Sequence, residues 1–256
     1  MSIYNELLKF LSSFATIFDD NDGGFHKLDS QYRFTRKRSF VPDGTFSMSD
    51  IEKAYYFAEQ MASNDFHRPI RSGGNLSRNE FDIFKNTFQG KLSEYAIYHL
   101  FDGIADINEP DLAIYERGKW DNGDFVVNGK RLAIKSVKYF SQLLLLEKED
   151  WNENGIYIPD INTDGLFDYF ILVRIKPNID DYHTKEDIKN ATWLYQIVGY
   201  ITREDLILII KNKHIIPKGA LLNGKTQMDA DNYYVQSGDL KDIEKLIEEI
   251  INGSNI

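Results

Sequence analysis

The sequence contains no cysteine among its 256 residues, and this absence removes several kinds of chemistry. Disulfides, thiol nucleophiles and cysteine-bound metals are excluded. Any metal ion must therefore be held by oxygen ligands or by histidine. The five histidines do not indicate such a site, because their spacing is not that of metal ligands.

The sequence also lacks a long apolar run. No stretch approaches the roughly 20 residues that a membrane-spanning helix needs, and acidic Glu6 interrupts the apolar residues near the N-terminus. We therefore expect a cytoplasmic protein with no membrane partner. The composition, 42% hydrophobic and 27% charged residues, is close to that of an average globular protein and favours a folded domain over disorder.

The net charge of −10 argues against a protein that coats nucleic acid without selectivity, because such proteins are basic overall. A DNA-binding cleft remains compatible with this charge if basic residues gather on one face. Two clusters could form that face or could equally be solvated loops. The first contains Arg33, Arg36, Lys37 and Arg38, and the second contains Arg68, Arg71 and Arg78.

Hydrophobic periodicity and capping signals predict helices and strands along the whole chain. The predicted helices cover 3–17, 50–63, 78–101, 203–213 and 239–252. Short β-branched and aromatic runs predict strands over 112–116, 124–127, 131–140, 168–175 and 193–201. The dipeptide Asn128-Gly129 predicts a tight hairpin, because both residues tolerate positive φ.

These elements predict an α/β fold with a central mixed β-sheet of about five strands flanked by helices. We expect one domain over 1–256, whose core spans about 78–210. The N-terminal helical part, 1–77, and the C-terminal helix, 239–252, are expected to pack on that core.

The predicted hairpin carries an unusual pair of polar residues. Asp124 opens its first strand, and Lys135 lies within the apolar second strand. A lysine in such a strand is costly unless its ammonium group has a partner. Alternation puts Ala133 and Lys135 on one face and Leu132 on the other, together with Ile134. A carboxylate and an amine are therefore expected to converge at a sheet edge.

The stretch D-FVVNGKRL-A-I-K-S resembles the core motif of the PD-(D/E)XK nuclease superfamily, best represented by type II restriction endonucleases. In that motif an acid begins one strand, and an acid, any residue and a lysine follow on the next strand. Asp124 matches the first acid and Lys135 matches the lysine. A preceding helix in the family carries a glutamate, which Glu94 matches. The resemblance covers residues of about 90–175.

The resemblance implies a restriction-endonuclease-like fold and a Mg²⁺-dependent, site-specific endonuclease of a restriction–modification system that cuts double-stranded DNA. Mg²⁺ would be bound by Asp124, Glu94 and the carbonyl of Ile134, and Lys135 would orient the attacking water. Cutting both strands of a symmetric site implies a homodimer. The candidates for DNA contact are Arg68, Arg71, Ser136 and Lys138.

One position departs from the family pattern, because Ala133 stands where the motif has its second acid. Mg²⁺ prefers oxygen ligands, so the loss of a carboxylate should weaken its binding. In one explanation alanine is an engineered replacement, which makes this chain a catalytically impaired variant. In the other the acid has migrated, and Glu94 or Asp121 takes its place.

Three other functions remain open. The chain could be an inactive nuclease fold that only binds DNA, or a repair or phage nuclease with little sequence preference. The third is a phosphate-loop enzyme, because the segment 219–226 reads GALLNGKT. That loop works only in front of a helix, and the residues after it do not predict one, so we expect no nucleotide partner.

Overall fold

The described part of the chain contains helices and mostly short strands. The computed structural model describes residues 31–32, 34–63, 79–113, 125–159, 165–222 and 226–252. Its α-helices are α1 (Met48–Ser63), α2 (Glu80–Phe101), α3 (Lys185–Asn190), α4 (Arg203–Lys211) and α5 (Ile243–Asn252). Its strands are β1 (Gln31–Tyr32), β2 (Gly44–Thr45), β3 (Phe125–Val127), β4 (Lys130–Lys138), β5 (Leu143–Glu147), β6 (Tyr169–Lys176), β7 (Leu194–Thr202), β8 (Ile215–Ile216), β9 (Leu221–Leu222), β10 (Thr226–Gln227) and β11 (Asn232–Gln236).

A mixed five-stranded sheet is the centre of the fold, with the strand order β2-β7-β6-β4-β3. Strands β4 and β6 are parallel, and the other neighbours are antiparallel. The predicted α/β fold with about five strands flanked by helices is therefore confirmed. The observed sheet differs from the predicted one in one strand, because its fifth strand is β2, which was not predicted. Of the predicted strand 112–116, Leu112 and Ala113 are not in a strand, and the rest lies outside the described residues.

The predicted hairpin joins β3 to β4. Asn128 and Gly129 have φ values of 47° and 76°, so both turn residues are in the left-handed region. The register pairs Phe125 with Leu132 and Val127 with Lys130. This register fixes which side chains of β4 face each side of the sheet.

The sheet separates two hydrophobic cores. Helices α1, α2 and α5 cover one face, where they contribute residues such as Ala58, Phe88, Leu92 and Leu246 to a core that includes Leu132 and Ile171 of the sheet. The opposite face packs against α4 and a second sheet. That core includes Ala133, Phe170, Leu172, Leu206 and Val235.

The second sheet was not predicted from the sequence. It has the strand order β5-β11-β8, and β11 pairs antiparallel with β5 over five residues. The sequence of β5 is LLLLE, which lacks the alternation that identifies a half-buried strand. Its burial on both sides, against two different cores, explains the continuous apolar run.

Most predicted helices have the expected position, but two predictions need comment. The helix predicted over 239–252 begins at Ile243, after a turn of 3-10 helix. The one predicted over 3–17 lies outside the described residues.

In the GALLNGKT segment, Thr226–Gln227 is a strand paired with Leu221–Leu222 rather than the start of a helix. Along the described residues, no helix is both long and apolar enough to cross a membrane.

A bulge in β7 makes Gly199 a sensitive position. Its φ is +147°, and a Cβ there would lie 2.4 Å from the carbonyl oxygen of Lys241. We expect Gly199→Ala to lower the free energy of unfolding by about 2 kcal/mol or more, because the new methyl group adds strain and a backbone clash. Urea denaturation measures this loss.

Gly90 provides the matched control for that substitution. It lies inside α2, and a Cβ there would meet no atom within 4 Å. Gly90→Ala is expected to stabilise the protein by about 0.5–1 kcal/mol, because alanine has the higher helix propensity. Equal effects of the two substitutions would contradict the backbone geometry described for β7.

Candidate active site

The side chains of β4 alternate between the two faces of the central sheet. Leu132 and Ile134 pack in the core beneath α2, and Ser136 bonds to that helix. Ala133 belongs to the core on the opposite face, where Val137 packs against it. Lys135 therefore shares a face with Ala133, as the alternation predicted.

Lys135 lies on a largely apolar face, beyond the point where the described part of β3 stops pairing with β4. It is half-buried and is paired in register with Leu172 of β6, while Ala133 is paired with Phe170. On the other side of β4, strand β3 reaches only as far as the pair Phe125–Leu132. Among the described residues, no strand continues this pairing alongside Ala133 and Lys135. The backbone N–H and C=O groups of β4 on this edge therefore form no hydrogen bonds to a neighbouring strand within the described residues.

Several predicted site residues lie outside the described part of the chain. They are Asp124, Asp121, Arg68 and Arg71. The sequence places Asp124 directly before Phe125, the first residue of β3. Their predicted roles remain predictions.

Glu94 is on a helix that packs against the face opposite Lys135. Its carboxylate accepts a 2.6 Å hydrogen bond from the Nζ of Lys91, which also donates to the carbonyl of Asp111 at 2.7 Å. Lys91 is buried, with 3% of its side chain exposed, and its ammonium group lies 4.5 Å from the ring centroid of Phe57. Glu94 thus balances a buried positive charge. The structure does not bring its helix to the face that carries Ala133 and Lys135, which differs from the expected arrangement.

Ser136, a predicted DNA contact, is bonded to helix α2. Its Oγ accepts from the Nε2 of Gln89 at 3.1 Å and lies 2.7 Å from the Oγ of Ser93. These bonds join the strand to the helix on the covered face. They give Ser136 a packing role that its sequence neighbours did not reveal.

Lys138, another predicted DNA contact, forms an ion pair with Asp180. Asp180 is also within 3.5 Å of the ammonium group of Lys85. Burial alone would raise the pKa of Asp180, but the two lysines outweigh it and hold this pKa below its usual value. The charge of Lys138 is therefore balanced within the protein.

Two residues of the basic cluster before Phe40 are also bonded within the protein, while Arg33 lies outside the described residues. Arg36 pairs with Asp239, and the guanidinium group of Arg38 donates to the carbonyls of Val198 and Leu240, each at 2.6 Å. Two of the four basic residues thus hold the segment 34–40 against the sheets. These bonds favour a structural role for Arg36 and Arg38 over a role in DNA binding.

Sequence reasoning missed a buried arginine on the face of Lys135. Arg174 of β6 is fully buried and donates to the carbonyl of Arg38 at 2.8 Å and to the Oε1 of Gln142 at 2.7 Å. Burial and the nearby charge of Arg38 lower the pKa of Arg174 to about 10. The signal was present, because Arg174 interrupts the apolar run DYFILVRI just as Lys135 interrupts its own strand.

The described residues offer an incomplete ligand set for a metal ion. No group of three or more acidic, histidine or cysteine residues that could hold a metal is present among them. Ala133 supplies no side-chain oxygen. Mg²⁺ binding at this face would therefore need Asp124 and a further carboxylate.

Comparisons with protein-family models, with curated proteins and with solved structures find no match for this chain.

Proposed function

We propose that this protein is a sequence-specific endonuclease of double-stranded DNA, with Asp124 and Lys135 at its active site. The observation that carries the proposal is the position of Lys135, half-buried on one face of β4 beside Ala133, on a stretch of β4 that no strand among the described residues pairs with on the β3 side. The part of the sequence motif that this arrangement supports is the shared face of Ala133 and Lys135.

Lys135 is suited to a phosphate ligand. Its ammonium group is carried by an ordered strand whose neighbouring residues on the same face are apolar, namely Ala133 and Val137. Attraction between a cation and a phosphate is stronger in such surroundings than in water. We propose that Lys135, which the resemblance assigns to the attacking water, also contacts the scissile phosphate and stabilises the negative charge that develops during attack.

We propose that Asp124 provides the carboxylate partner of Lys135. Phe125 of β3 pairs with Leu132 of β4. In the sequence, Asp124 comes directly before Phe125 and Ala133 directly after Leu132. For this reason we propose that Asp124 acts opposite Ala133. With an acid at position 133, the two carboxylates and a backbone carbonyl would hold Mg²⁺, which supplies Lewis-acid chemistry when bound. With alanine at 133 the ligand set remains short of one carboxylate.

The proposed substrate also constrains the assembly. An enzyme that cuts both strands of a symmetric site is expected to act as a two-fold dimer, because the symmetry of the protein mirrors that of the site. We therefore propose a homodimer on DNA.

A selection experiment tests the proposed specificity without requiring cleavage. The unmodified chain is incubated with random-sequence duplex DNA and Ca²⁺, and the bound DNA is sequenced. A restriction endonuclease is expected to enrich one short symmetric site. Enrichment of no sequence, despite binding, would contradict site specificity and indicate a nuclease of low preference.

Paired variants show whether Lys135 takes part in that binding. We expect Lys135→Met to weaken binding to the selected duplex by about tenfold, because one charge-assisted contact to phosphate is lost. Lys138→Met is the matched control, because Lys138 is on the same strand, points to the other face by alternation and forms an ion pair with Asp180. Failure of the unmodified chain to bind any duplex would contradict the proposed function.

A second candidate function is an inactive nuclease fold that only binds DNA. Ala133 favours it, because this residue is 6% exposed and belongs to an apolar core with Phe170 and Leu172. An alanine suits those surroundings without any catalytic role. Sequence-specific binding with no cleavage, even after an acid is introduced at 133, would support this candidate.

A further inference from the structure

Three aromatic rings, of which Phe140 is exposed and the other two are half-buried, form a corner where β4 ends. We call Phe40, Tyr139 and Phe140 the aromatic corner. The ring centroids of Phe40 and Tyr139 are 5.9 Å apart, and those of Tyr139 and Phe140 are 5.3 Å apart. Phe140 is 55% exposed, which is high for a large apolar side chain. The corner therefore presents an aromatic surface to solvent.

Lys176 gives this corner a positive charge, and Lys37 is close to it along the chain. The Nζ of Lys176 lies 5.8 Å from the ring centroid of Phe40 and 5.4 Å from that of Tyr139. Lys37 is exposed and precedes Phe40 by three residues, so their Cα atoms are at most about 11 Å apart. Within the described chain neither lysine forms an ion pair, in contrast to Lys138.

An exposed aromatic ring with two half-buried neighbours and a lysine beside them matches the chemistry of a single DNA strand. Bases stack on aromatic side chains, and cations meet the adjacent phosphates. A protein partner fits less well, because lysine is depleted at the centres of protein interfaces. The charge beside the rings therefore favours a nucleic-acid strand over an apolar protein surface.

We propose that the aromatic corner binds an unstacked base of a DNA strand, with Lys176 and Lys37 contacting its phosphates. This inference rests on the proposed function, because it assigns part of the same substrate to a second surface. Tyr139 follows Lys135 by four residues, a separation of ~13 Å along an extended strand. A strand bound at Lys135 can thus extend to the corner.

Binding of single-stranded DNA tests the inference directly. The probe is a short thymidine strand containing one 2-aminopurine, measured by anisotropy and by 2-aminopurine emission. Phe140→Ala is expected to weaken binding by about 5- to 150-fold, the range for loss of one stacked base, and to abolish the emission change. Lys176→Ala is expected to weaken binding and to reduce its salt dependence.

Two controls separate the corner from the rest of the surface. Val126→Ala removes an apolar side chain that is 48% exposed, and Lys148→Ala removes a lysine that is paired with Asp231. Neither is expected to change strand binding. An effect of Phe140→Ala no larger than that of Val126→Ala would overturn the inference.

Failure of the corner and failure of the proposed function give different results. If Phe140→Ala leaves strand binding unchanged while Lys135→Met still weakens binding to duplex DNA, the corner is wrong and the nuclease proposal stands. If the unmodified chain binds neither single-stranded nor duplex DNA, both proposals are overturned.

Discussion

Ala133→Asp is expected to raise Mg²⁺-dependent DNA cleavage by about 100-fold or more. Loss of a residue that only orients a metal ligand costs about 10- to 100-fold, so loss of a carboxylate that binds the metal directly should matter at least as much. Residue 133 is on the same face of β4 as Lys135, so the new carboxylate would be on that face too. The rate of plasmid nicking and linearisation in Mg²⁺, compared with that of the unmodified chain, measures the effect.

A neutral substitution of the same size separates charge from shape. Ala133→Asn should produce much less cleavage than Ala133→Asp, because an amide is a poorer Mg²⁺ ligand than a carboxylate. We also expect Mg²⁺ to raise the melting temperature of the aspartate variant and not that of the unmodified chain, since a ligand that binds only the folded state stabilises it. Cleavage at the same rate by all three proteins would contradict a metal-binding role for position 133.

Arg174→Ala is expected to lower the free energy of unfolding by about 3 kcal/mol or more. The substitution leaves a cavity in a fully buried site and removes the donors to Arg38 and Gln142. For a chain of this size the melting temperature should fall by roughly 2–4 °C per kcal/mol. Urea denaturation, with an unchanged slope, measures the loss.

Arg174→Met provides the control for volume. It keeps most of the buried side-chain volume but removes the charge, and Gln142 still accepts a hydrogen bond from Ser237 at 2.5 Å. We expect it to recover about 1 kcal/mol or more of the loss caused by alanine. A change of less than about 0.5 kcal/mol for Arg174→Ala would show that its buried bonds contribute little.

The parts of the fold with clear local signals were predictable from the sequence. Asn128-Gly129 specified the hairpin because few other residues adopt positive φ. Helix α2, which begins at Glu80 after its N-cap Asn79, follows a capping signal in the sequence. Strand β5 was missed because LLLLE has no alternation. Strand β2, with only two residues, is too short to give a pattern, and its pairing with β7 depends on contacts distant in sequence.

The candidate site was predicted only in part. Alternation along β4 placed Ala133 and Lys135 on one face, but it could not say which face α2 would cover. The placement of Glu94 depends on that choice and on the need of Lys91 for a counter-charge. Likewise, the carbonyl partners of Arg38 come from residues about 160 and 202 positions away, which no local pattern indicates.

The central claim is that one site containing Asp124 and Lys135 cleaves DNA. The most direct test measures plasmid cleavage in Mg²⁺ by the Ala133→Asp protein, alone and combined with Asp124→Asn, Lys135→Met or Lys138→Met. We predict discrete fragments from the Ala133→Asp protein, loss of cleavage with either of the first two additions, and little change with Lys138→Met. Cleavage that survives both Asp124→Asn and Lys135→Met, or no cleavage by any of these proteins, would contradict the account.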